Sequence, residues 1–165
     1  MKTFLAVFFG ILAAVAVIAT VIGIGVLVKQ EQQSGALRSE MPAHGLKTIA
    51  ISCETYKSFF GHYPKALADL GYKDGKIEGD ILKDPKNAGL IDPYLSSGKI
   101  YGYIFSYTVD AADKRGSPTS YSVIASPASG SGKRFFVDQT GVVRFTTENR
   151  PASATDIPDF SMDRQ

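Results

Sequence analysis

From Phe4 to Val28 the chain carries no charged residue, and Thr20 is the one polar side chain in the run. At about 1.5 Å per residue such a helix reaches roughly 37 Å, enough to cross a hydrocarbon core of about 30 Å. The pattern therefore predicts a transmembrane anchor over 1–29, in contact with membrane lipid through Phe4–Val28. A small-x-small triplet, Ala14-Val15-Ala16, offers an alternative cleavage site. The apolar run continues well past it, longer than a signal peptide needs. Gln30 to Met41 is polar, rich in helix formers and free of proline, which predicts a helical stalk over 30–42. Pro42 and Gly45 then mark a kink or break.

Past that point the period is helical. Leu46, Ile49, Ala50, Cys53, Tyr56 and Phe60 recur at steps of three and four, with Lys47, Ser52, Glu54 and Lys57 on other faces. Gly61-His62-Tyr63-Pro64 stops this amphipathic helix, and Lys65 to Leu70 adds a further turn or two before Gly71. Residues 72–99 read as an irregular connection, punctuated by Gly75, Gly79, Pro85, Gly89, Pro93 and Gly98 and pinned by Gly89-Leu90-Ile91 and Pro93-Tyr94-Leu95.

The period then shortens to two. Tyr101, Tyr103, Phe105 and Tyr107 alternate with smaller or polar residues, as in a strand with one apolar face. Tyr121 to Ala125 and Arg134 to Val137 are further strands, and Val142 to Thr146 returns from the turn Asp138-Gln139-Thr140-Gly141. Asp110 to Thr119 and Pro127 to Lys133 are loops. Helix first and consecutive strands after it predict an α+β fold, a long N-terminal helix (transmembrane, then stalk) packed on a small antiparallel β-sheet. The globular domain occupies 43–147, and the polar tail 148–165, with Pro151 and Pro158, is expected to be loosely ordered.

Composition narrows the function. A chain of 165 residues has room for one core beyond the anchor. A net charge of +2, spread without a basic stripe, excludes nucleic acid as a partner on electrostatic grounds. Cys53 is the single cysteine, so no intramolecular disulfide forms, and its place on the apolar stripe marks it as a small buried hydrophobe.

Candidate chemistry is sparse. His44 and His62 assemble neither a triad nor a metal-ligand spacing. Glu78, Asp80, Asp84 and Asp92 gather oxygen ligands in the central connection, but without EF-hand spacing and among Lys83 and Lys86 they read as solvated charges. Gly130-Ser131-Gly132-Lys133 lacks the full phosphate-loop pattern and precedes a strand, so it reads as a hairpin connection. Tyr101, Tyr103, Tyr107 and Tyr121 form either a binding face or core pairs, and a helix-covered sheet favours the core. No catalytic, cofactor-binding or metal-ligating residue is assigned, and no cofactor is expected.

Several ordered motifs carry a resemblance. Leu46-Lys47-Thr48-Ile49 through Glu54-Thr55-Tyr56, the segment Gly61-His62-Tyr63-Pro64-Lys65-Ala66-Leu67-Ala68-Asp69-Leu70-Gly71, and the strands beginning at Tyr101, Tyr121 and Arg134 are similar to the type IV pilin and pseudopilin family over roughly residues 46–147. The N-terminus departs from that pattern. Met1-Lys2-Thr3 leads directly into the apolar run with no prepilin peptidase motif, and no acid precedes Glu31. The resemblance implies a membrane-anchored, non-enzymatic structural or protein-interaction component of the bacterial cell envelope, linked to type IV pilus or type II secretion-like machinery. Protein partners or like subunits would bind a domain held outside the inner (cytoplasmic) membrane by a single pass. Counting Lys2 against Lys29, Arg38 and Lys47 gives the opposite orientation. A membrane-tethered enzyme or ligand-binding module is the other class considered.

Overall fold

The computed structural model describes residues 40–75 and 81–160. A helix, α1, runs over 40–60. Ala43, Leu46, Ile49, Ala50, Cys53 and Tyr56 form its buried stripe, at the helical spacing their sequence positions require. Pro42 and Gly45 do not interrupt it. Gly45 serves instead to bring helix and sheet together, since a Cβ there would lie 3.1 Å from Cζ of Phe105.

The chain then makes 3-10 turns over Leu67–Leu70 and Lys73–Gly75 and a one-turn helix, α2, over Pro93–Ser96. Asp92 caps α2 by accepting from the backbone N–H groups of Tyr94 and Leu95 at 2.8 and 3.0 Å. Six strands follow, β1 (Lys99–Ile100), β2 (Tyr103–Ala112), β3 (Pro118–Pro127), β4 (Arg134–Asp138), β5 (Arg144–Thr146) and β6 (Ile157–Pro158). Each pairs antiparallel with the next in chain order. The side chains of Phe105, Tyr121, Val123, Ala125, Phe135 and Val137 form one core with the α1 stripe. Their alternation along β2, β3 and β4 puts them on a single face.

The opposite face has its own cover. Phe136 points away from α1 yet is buried, as is Ala152, and neither belongs to the main core. Arg134 and Arg144 share that face by register. Arg134 donates to the carbonyls of Gly130, Gly132 and Glu148 and to Asn149 Oδ1, while Arg144 donates to the carbonyl of Asp156. Residues 148–158 thus form a strap, closed on itself by a two-pronged Arg150–Asp156 ion pair.

Three expectations are corrected. The described chain is not a long N-terminal helix on a small sheet; its packed helix is 40–60, and the sheet has six strands. Among the described residues no helix is long and apolar enough to cross a membrane. The helix over 40–60 carries Glu40, Lys47, Glu54 and Lys57, charges that a bilayer interior penalises. The transmembrane anchor over Phe4–Val28, and the stalk up to residue 39, lie outside the described residues. Single-pass placement in a bacterial inner (cytoplasmic) membrane needs a spanning helix, and the described residues supply none.

Candidate functional site

The structure scatters the residues that sequence spacing singled out. His44 is exposed on α1, and half-buried His62 donates from Nδ1 to the Tyr63 carbonyl at 2.8 Å in the tautomer that bond requires. Asp84 closes a local turn by accepting from the Lys86 backbone N–H and the Asn87 amide, both at 2.9 Å, which hold its carboxyl below its usual range. Asp92 caps α2, and Glu78 and Asp80 lie outside the described residues. No group of three metal-ligating side chains occurs among the described residues. Gly130 to Lys133 joins β3 to β4, and the carbonyls of Gly130 and Gly132 are spent on Arg134.

Cys53 and the inward tyrosines make one aromatic cluster. Tyr121 stacks on Tyr107 with centroids 5.6 Å apart and meets Tyr63 edge-on at 4.8 Å. Tyr107 donates to the Pro64 carbonyl at 2.8 Å, and Tyr103 donates to that of Lys133 at 3.1 Å. Tyr63 donates to Glu54 Oε1 at 2.6 Å and accepts from Lys57 Nζ at 3.2 Å. Burial pushes the Cys53 thiol up to about 12, although the Tyr121 hydroxyl beside it acts in the other direction. Such a thiol is protonated and inert. Tyr121 Oη makes no hydrogen bond of its own. These groups hold α1 and the turn at Tyr63 to the sheet.

What remains available is surface. Tyr101, expected inside a strand, instead begins the two-residue turn between β1 and β2, where Ile100 pairs with Tyr103. Its φ is +57° and that of Gly102 is +76°, the left-handed pair of a type I′ hairpin. Asparagine or glycine suits the first position, and a bulky aromatic there is strained. Leu82 also has φ of +62° but packs its side chain on the core, whereas Tyr101 remains 53% exposed. Its ring borders a concavity with Met41, His44, Thr48, Leu95 and Ile100.

A second apolar feature lies on α1 itself. Ile51 and Phe59 are 59% and 63% exposed on the side turned from the sheet, in company with Thr48, Thr55 and Ser58. The sequence signal for Ile51 is an isoleucine one position off the apolar stripe, between Ala50 and Ser52. No family model matches this chain, and no curated protein or solved structure matches it either, so the pilin-like expectation acquires no relative to support it.

Proposed function

We propose that this domain works without chemistry of its own, as a module that binds protein. The observation that carries the reading is Tyr101. A tyrosine in left-handed backbone costs about 1 kcal/mol, and here the side chain is half in solvent and beside a concavity that combines Met41, Leu95 and Ile100 with His44, Thr48 and Asp92. Strain with no compensating burial is expected where a side chain is kept for an external contact. Exposed Ile51 and Phe59 add aliphatic and aromatic area of the kind that protein interfaces collect. The inward tyrosines, by contrast, are engaged within the domain, Tyr56, Tyr103 and Tyr107 donating to backbone carbonyls and Tyr63 to Glu54.

Site-specific photo-crosslinking in cells producing the chain tests this. A benzophenone amino acid at Tyr101 or at Phe59 is expected to give discrete protein adducts, and the same label at Lys114, exposed between β2 and β3, none. Unmodified chain from both labelled positions would refute the proposal.

A further inference from the structure

The outer face of α1 is complementary to itself when reversed. At about 100° per residue, Ile51 lies at the middle of the face opposite the buried stripe. Thr48 and Thr55 flank it on one side along the helix axis, and all three are exposed. Lys47 and Glu54, also exposed, stand together along one margin, whereas Met41 and Phe59 stand together along the other. Within each margin the pair is nearly symmetric about residue 51.

A two-fold axis through Ile51 therefore sets like with like and opposite charge with opposite charge. An antiparallel copy opposes residue n to a residue near 102 minus n. Ile51 meets Ile51, Met41 meets Phe59, Thr48 meets Thr55, and Lys47 meets Glu54 twice by symmetry. A parallel copy in register would instead set the Lys47 and Glu54 margin of one helix against the Met41 and Phe59 margin of the other, leaving the charges without opposite partners across the seam. Both charged groups have capacity to spare. Lys47 Nζ spends one of its three protons on the Gly141 carbonyl at 3.2 Å, and Glu54 uses Oε1 for Tyr63, leaving Oε2.

From this pattern we infer that a second copy of the chain docks here, α1 against α1, antiparallel, with Ile51 on the axis. This rests on the protein-binding reading and names the partner. Hydroxyl-bearing Thr48, Thr55 and Ser58 keep the seam low enough for close approach of two helices. The Met41 end of each seam opens onto the concavity that Tyr101 borders, so Phe59 of the second copy arrives beside Tyr101. An isologous contact of this kind closes on two subunits.

Charge reversal gives the test, on the full chain by analytical ultracentrifugation. Lys47→Glu and Glu54→Lys each place two like-charged pairs across the axis, and each is expected to weaken self-association at least about tenfold. An equimolar mixture of the two variants restores both opposite-charge pairs, so mixed dimers are expected to form with near wild-type affinity. Circular dichroism verifies that each variant is folded. Glu54→Lys also loses the Tyr63 contact, so a Cys53→Ala, Ile51→Cys chain provides an independent reading. Mild oxidation is expected to give a covalent dimer through residue 51, and none from Cys53→Ala, Lys114→Cys. Folded variants that do not complement each other, or a 51 cysteine no readier to cross-link than the 114 cysteine, overturn the inference. If Tyr101 nevertheless cross-links to a different protein, the self-docking fails and the protein-binding function stands.

Discussion

Tyr101 holds a backbone conformation that almost any tyrosine avoids, and the turn it occupies prefers asparagine. Tyr101→Asn is expected to stabilise the chain by about 0.5–1 kcal/mol, because asparagine tolerates the left-handed region at lower cost. Chemical denaturation would show the midpoint rising at constant slope, and a midpoint that falls would mean the ring contributes more packing than its exposure suggests. The same substitution removes the aromatic from the concavity, so stability should rise while protein adducts from a benzophenone at Phe59 fall. From sequence alone Tyr101 reads as a strand residue because the tyrosine alternation runs through it unbroken. Only the tightness of the turn, two residues with Gly102 second, separates it from Tyr103.

Elements differ in how much of themselves they write into the sequence. The stripe from Leu46 to Tyr56 is legible because burial against one surface imposes a 3.6-residue period. The inward alternation of β2 and β3 is legible for the corresponding reason in a sheet. Two-residue β1 and β6 are too short to show any period. The strap over 148–158 is held by Arg134, Arg144 and Arg150 bonding to carbonyls, to the Asn149 side-chain amide and to the carboxylates of Glu148 and Asp156, contacts that leave no periodic trace. Asp156 is its fastening. The Arg150 guanidinium first, and then the backbone and hydroxyl of Ser153, hold its carboxyl well below the usual carboxylate range. Free Asp titrates near about 3.9, so the contribution of this group is complete above roughly pH 4 and is lost as pH falls below that toward its native value. Asp156→Asn at neutral pH is expected to mimic the acid state, with faster hydrogen exchange over 144–158 and unchanged exchange in β3. Uniform acceleration across the sheet would show that the strap and sheet open together.

At the scale of the whole molecule, Tyr56, Tyr63, Tyr107 and Tyr121 lock the helix, the turn at Tyr63 and the sheet into one core. Burial leads in raising the pKa of each, to about 12 for Tyr56 and higher for the other three. Free tyrosine ionises near about 10, so the stability tied to their protonated forms is complete below that pH and is lost as pH climbs through the raised values. Tyrosinate absorbance from these four should therefore appear together with loss of far-ultraviolet dichroism in an alkaline titration. Absorbance from all tyrosines near pH 10 with the fold intact would contradict that.

The order of the elements along the chain has one further consequence, in time. The meander adds each strand beside the one before it, but α1 precedes all of them and packs on residues as late as Val137 and Val143. During synthesis the stripe ending at Tyr56 leaves the ribosome some 80 residues ahead of the last strand it packs on, roughly 4–16 s at ordinary elongation rates. Through that interval Leu46, Ile49 and Tyr56 face an incomplete sheet, and a nascent-chain chaperone is the natural guardian of that stripe.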